Sequence, residues 1–199
     1  MIDLERSVWE QRHGQGWLGM VKTPADLERY EKLLADVRPA WIVELGTYNG
    51  ASACWFAEVA DCHVITVDTH PQVDPTVHGH RDITWIKGNS ADPAIVTLVS
   101  SVIRGGGPVV VVCDSDHSAG HVYAEMVAYG PLVTPGSYMV VEDGIIRWVP
   151  EQLPHYNNSG PLDAIERFLV THPGWEPDAD LENLSPTTQH VGGWLRRVA

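Results

Sequence analysis

Val109-Val110-Val111-Val112-Cys113-Asp114-Ser115-Asp116-His117 places five apolar residues in a row and then turns abruptly polar. A run this short, continuous and β-branched is that of a strand covered on both faces, as in the interior of a parallel sheet. Its polar end then marks the carboxyl tip of a strand, the side on which open α/β sheets bind ligands. Gly105-Gly106-Gly107-Pro108 is a turn into the run, and Ala91 to Arg104 before it reads as a helix. After it, Ala119 to Tyr129 reads as a helix, and Thr134-Pro135-Gly136-Ser137 leads into a strand, Tyr138-Met139-Val140-Val141, which ends at Glu142-Asp143.

The alternation extends toward the N-terminus. Thr23-Pro24-Ala25-Asp26 is a helix start, with Thr23 as cap and Pro24 in the first turn, and the helix runs to about Val37 before Arg38-Pro39 stops it. Trp41-Ile42-Val43-Glu44-Leu45 is a buried strand, followed by a glycine turn and a helix from Ala51 to Ala60. His63 to Asp68 is the next strand and Ile83 to Lys87 a weaker one. Past Asp143, the segment Arg147 to Gly160 reads as loop, Leu162 to Val170 as helix, and His190 to Val198 as an apolar closing segment. This pattern predicts an α/β fold: a Rossmann-like, doubly wound, mostly parallel sheet with helices on both faces.

The chain has 199 residues, 44% hydrophobic and 20% charged, which suits one folded domain. Its formal charge of -13 would repel a phosphate backbone, so nucleic acid and anionic membrane are not expected partners. The same field favours cations, whether Mg²⁺ or a sulfonium. Met1 to Trp17 carries acids and no signal-like apolar core, which predicts a cytoplasmic protein. Cys54, Cys62 and Cys113 lack metal-ligand spacing and read as buried core residues. Eight Trp against two Phe leaves aromatic surface to spare for a homodimer contact.

Chemistry concentrates at the strand ends. Glu44-Leu45-Gly46-Thr47-Tyr48-Asn49-Gly50 has two glycines that would let backbone approach a ligand closely, and Asp68, at the next strand end, can accept hydrogen bonds from ribose hydroxyls. Together they describe an adenosine pocket. An acid in place of the first glycine of G-x-G-x-x-G favours S-adenosylmethionine over a dinucleotide. Asp114, Glu142 and Asp143 are carboxylates from neighbouring strand ends, and a cluster of this kind calls for a hard cation: Mg²⁺, with Mn²⁺ or Ca²⁺ also suited. Asp116 competes with Asp114 for this role, since both cannot point the same way along an extended chain. His117 stands where a general base could reach a metal-held oxygen, and His121, a turn further on, is the second choice. Trp148, Tyr156 and Trp175 are candidates to line an acceptor pocket.

Trp17-Leu18-Gly19, Thr23-Pro24-Ala25-Asp26-Leu27, Arg38-Pro39, Glu44-Leu45-Gly46-Thr47 with Ala51-Ser52-Ala53, Asp114-Ser115-Asp116-His117-Ser118, Gly136-Ser137-Tyr138 and Val141-Glu142-Asp143 together resemble the cephalosporin hydroxylase-like family of class I methyltransferases, which includes sugar and macrolide-sugar O-methyltransferases. The resemblance spans most of the chain. It implies a metal on Asp114, Glu142 and Asp143, His117 as base, and S-adenosylmethionine against Glu44, Gly46, Thr47, Tyr48, Gly50, Ser52, Asp68, Asn89, Ser90 and Asp114. It further implies a saccharide or other small natural product as acceptor. On this reading residues 1–38 form an N-terminal helical segment, 39–146 the cofactor and metal core, and 147–199 the acceptor loop and closure. The competing readings are a non-catalytic adenosine-binding module and an NAD-dependent oxidoreductase.

Overall fold

The computed structural model describes residues 20, 22–73, 78–148 and 159–199. Helix α1 (Pro24–Val37) begins where Thr23 accepts a hydrogen bond from the Asp26 amide, and it ends at Arg38, whose left-handed backbone (φ 49°) turns the chain out of the helix. Strand β1 (Trp41–Leu45), helix α2 (Ala51–Ala60), and strands β2 (His63–Asp68) and β3 (Ile83–Lys87) follow as the pattern predicts. Helix α3 spans Pro93–Val102, shorter than Ala91 to Arg104. Asp92 caps it and Pro93 opens its first turn, while the Ala91 amide donates instead to the Asn89 side chain.

Strand β4 (Val109–Cys113), helix α4 (Ala119–Tyr129) and strand β5 (Tyr138–Val141) complete the central pattern. Helix α5 covers Pro161–Thr171. The C-terminal third holds more structure than the apolar pattern announced: a short strand β6 (Trp175–Pro177), a one-turn helix α6 (Ala179–Glu182) and strand β7 (Trp194–Arg197). The sheet order is β3-β2-β1-β4-β5-β7-β6. Strands β1 to β5 pair in parallel, and β7 lies antiparallel between β5 and β6.

Alternation along the strands divides the core in two. Ile42, Val64, Val110, Val112 and Val140 face one side, where Leu27, Tyr30 and Leu33 of α1 and Phe56 of α2 cover them. Val43, Leu45, Ile65, Val67, Val109 and Val111 face the other, under Val99, Met126, Ile165 and Phe168 from α3, α4 and α5. Each such buried aliphatic side chain contributes about 1.5–3 kcal/mol, which makes the two-sided sheet the dominant source of stability. All three cysteines are free and buried. Burial pushes Cys54 and Cys62 up to about 12, so neither is a ready nucleophile.

The strand order reverses beside β1, between β2 and β4, and the loops there open a crevice at the carboxyl edge of the sheet.

Candidate active site

A cleft of about 580 Å³ lies at that crevice. Gly46, Thr47, Tyr48, Ser52, Asp68, Asn89, Ser90, Asp114, His117 and Asp143 all line it, so most residues singled out from sequence converge on one place. Glu44, Gly50 and Glu142 do not reach the cleft wall.

The glycine turn uses its freedom differently from the expectation. Gly46 has φ 108°, and a Cβ there would lie 1.9 Å from the Asp114 carbonyl oxygen, so the close approach is between two loops of the protein itself. Gly50 caps α2 in a left-handed conformation (φ 86°) and is a turn residue. Asp68 ties this turn to the end of β2: one carboxylate oxygen accepts from the Thr47 and Tyr48 amides at 3.1 and 2.9 Å, the other from the His70 amide at 2.7 Å. Oδ1, with a single amide donor, keeps a second lone pair for a ligand, whereas both lone pairs of Oδ2 are used.

Beneath the turn, Glu44 is fully buried. It accepts from Thr66 Oγ1 at 2.5 Å, and burial pushes its carboxyl up to about 7. Behind the cleft wall, Glu125 accepts from Ser115 Oγ at 2.6 Å, from Ser90 Oγ, and from His121 Nε2 at 3.2 Å. His121 is therefore committed to Glu125, and its pKa is raised chiefly by that hydrogen bond.

The acidic group comes from the loops that follow β4 and β5. Among the described residues, Asp114, His117 and Asp143 bring ligand atoms within 4.8 Å of one another, a separation that one divalent ion can bridge. Asp114, not Asp116, supplies the carboxylate from the β4 end. Asp116 accepts from the Ser118 amide at 2.8 Å and helps start α4 instead. His117 Nε2 lies 3.3 Å from Asp143 Oδ2. Burial, reinforced at Asp114 by the neighbouring Glu142, raises the pKa of both Asp114 and Asp143. Such a cluster resists ionising until positive charge is present.

Part of that charge comes from Lys22, which the sequence reading passed over. Its ammonium lies 2.6 Å from both oxygens of Glu142 and 3.1 Å from Asp114 Oδ2. Burial opposes the charged form, but Asp114 and Glu142 outweigh it and raise the lysine pKa further. Glu142 also accepts from Tyr30 Oη at 2.6 Å, and His190 Nε2 stands 3.5 Å away. Glu142, expected in the metal group, is paired with Lys22 and Tyr30 and is not among the three residues whose ligand atoms converge within 4.8 Å.

The aromatic candidates separate. Trp175, partly buried, packs edge-on to Phe168 at 5.6 Å against the core and does not line the cleft, and Trp148 is 57% exposed. Tyr156, like most of the 147–160 loop and the Trp17-Leu18-Gly19 stretch, lies outside the described residues.

Sheet order, the crevice at the switch point and the glycine turn joined to an acid-ended β2 define a class I methyltransferase fold. Within that class, the profile of the rhamnosyl O-methyltransferase/CmcI family matches residues 8–198, and the chain belongs to that family. It is 33% identical over 198 residues to the rhamnosyl O-methyltransferase of Mycobacterium tuberculosis (strain ATCC 25618 / H37Rv), covering 96% of this chain and 80% of that one. The Mycobacterium leprae (strain TN) rhamnosyl O-methyltransferase is 34% identical over 191 residues, covering 91% of this chain and 82% of that protein. Among solved structures, one described as cmcI-D160 Mg-SAM superposes with a TM-score of 0.67 at 28% identity, over 92% of this chain and 75% of that chain.

Proposed function

We propose that this chain methylates a hydroxyl group of a saccharide or a glycosylated natural product, with S-adenosylmethionine as donor and Mg²⁺ as the metal. The protein is an S-adenosylmethionine-dependent O-methyltransferase, as its family membership and its likeness to the Mg-SAM structure support. The observation that carries the reading is the single cleft with a hydrogen-bonding Asp68 at one strand end and the Asp114–His117–Asp143 group at another.

The candidate ligands Asp114 and Asp143 offer carboxylate oxygens and no thiol, which fits Mg²⁺, and His117, the third member of the group, is left for proton transfer. Asp114 and Asp143 would hold the ion, with Glu142 paired to Lys22 and Tyr30. When bound, the metal supplies Lewis acidity that lowers the pKa of a hydroxyl placed against it. Asp68 and the Thr47-Tyr48 turn would take the ribose side of the donor, with Ser52, Asn89 and Ser90 along the same wall. Glu44 and Gly50 act from behind, by shaping the turn.

Transfer requires the acceptor oxygen to bond the methyl carbon as the carbon–sulfur bond breaks. The sulfonium becomes a thioether and the hydroxyl proton must leave. His117 is positioned to take that proton, and Asp143, 3.3 Å from Nε2, would stabilise the resulting imidazolium. Because charge is neutralised as the methyl moves, alignment of the two reactants should supply most of the acceleration.

The test is mass spectrometry of rhamnosyl and other deoxysugar glycosides, plain saccharides and phenols incubated with S-adenosylmethionine and Mg²⁺. The expected result is one added methylene on a glycoside, abolished by EDTA. Phenol methylation alone would overturn the saccharide assignment, and donor binding with no methylated product on any acceptor would favour a non-catalytic binding module.

A further inference from the structure

A lysine buried against the residues that should hold a divalent ion is an unusual neighbour. Lys22 approaches through the segment just before α1, a part of the chain distant in sequence from β4 and β5, and only 4% of it is exposed. It contacts two carboxylates at once, Glu142 through both oxygens and Asp114 through Oδ2. Asp114 is also a member of the group whose ligand atoms converge for an ion. One carboxylate is therefore shared between a resident monovalent cation and the ion site.

Glu142 has a further donor in Tyr30, whereas Asp114 has a quarter of its side chain exposed toward the cleft. The weaker and more open half of the Lys22 pairing is thus the half a metal would claim. We propose that Lys22 is a built-in competitor for the divalent ion: it holds Asp114 and Glu142 in place before the metal arrives, must yield Asp114 when the metal binds, and so sets the metal affinity of the site. This rests on the reading of the cleft as an ion site. A dication and an ammonium a few ångströms apart repel strongly in a buried, low-dielectric setting. Removing the ammonium removes that repulsion and leaves the cluster more negative, while also removing the tether that stabilises the protein without metal.

Lys22→Met keeps most of the apolar stem, one atom shorter, and deletes the ammonium together with its hydrogen bonds to Glu142 and Asp114. Mn²⁺ titration followed by electron paramagnetic resonance should show at least tenfold tighter binding in the variant than in wild type. Its melting temperature in EDTA should fall, and saturating Mg²⁺ should raise it by more than in wild type. A lysine with a merely structural role predicts the opposite sign: loosened ligands and weaker Mn²⁺ binding. Unchanged or weaker affinity in the variant overturns the proposal. Lys22→Gln, which still donates to Glu142, replaces Lys22→Met if that variant does not fold, and the same sign is required of it.

A crystal structure of unaltered protein with Mn²⁺ decides the matter without any variant. The ion should lie against Asp114 with Lys22 Nζ beyond hydrogen-bonding distance of that carboxylate; an ion seated there with the Lys22–Asp114 contact intact overturns the competition. Failure of the underlying reading looks different, because wild type would then bind no Mn²⁺ in this cleft at all.

Discussion

Two buried cations on the same N-terminal stretch, Lys22 and Arg29, are satisfied in opposite ways. Arg29 is fully buried and spends its guanidinium on backbone carbonyls: Leu181 and Ala25 at 2.8 Å, Thr187 and Glu182 at 2.9 Å and Ser185 at 2.7 Å. Those acceptors belong to α1, to α6 and to the segment 183–187 that follows it, and no ligand could replace the arginine without unmaking these contacts. Lys22 spends its ammonium on carboxylates at the wall of a cleft, groups that another cation can take. The first arrangement is a rivet, because the hydrogen-bond acceptors are neutral, fixed and numerous, with buried Asp26 3.9 Å away to balance the charge. The second is exchangeable, because its partners carry charge of their own.

His117, on the exchangeable side, gives the largest expected effect. His117→Ala should lower turnover by about 10²–10⁴-fold, the usual worth of a general base, with little change in donor affinity by calorimetry. Turnover within a few-fold of wild type would remove His117 from the proton path. The rivet predicts a different loss. Arg29→Met leaves several carbonyls without donors, and urea unfolding should show a destabilisation of about 3–5 kcal/mol, while Mn²⁺ affinity of the folded protein stays within a few-fold of wild type. A large change in metal affinity there would mean that the two cations are not the separate devices described.

Glu44 sharpens the contrast through pH. Its carboxyl is ordinarily near 4.5 and burial raises it to about 7 in the fold. The native state therefore keeps a proton that the unfolded chain gives up. The stability this contributes is complete below 4.5, declines as pH climbs toward 7, and is gone above it. Glu44→Gln cannot ionise, so wild type should lose about 3 kcal/mol more than the variant across that window in urea titrations. Parallel profiles for the two proteins would show that Glu44 titrates alike in the folded and unfolded states.

Much of this was legible in the residues. The parallel sheet followed from Val109 to Cys113 and the strands around it, and the cleft from the polar residues placed just after strand ends, because chain order and sheet order are linked in a doubly wound fold. Asp114, His117 and Asp143 came together as expected. The pairing of Glu142 with Lys22 and Tyr30 was not legible, because these partners come from the residue before the α1 cap and from α1, and nothing local in Lys22-Thr23-Pro24 reports a contact with the end of β5. The general signal was present in outline: buried carboxylates need a counter-cation, and basic residues are scarce in this acidic chain. Strand β6 was missed because Trp175-Glu176-Pro177 is too short for alternation to register. The glycines misled in a different way, since Gly46 makes room for the Asp114 backbone, a neighbour that only the folded sheet supplies.

Asp114 is the carboxylate on which both halves of the account meet, accepting from Lys22 and facing the ion site. Titrating Mn²⁺ into wild type and Asp114→Asn, with free ion read by electron paramagnetic resonance, is the direct examination. One saturable site in wild type, weakened at least tenfold in the variant, is the predicted result; equal binding by the two proteins would contradict it.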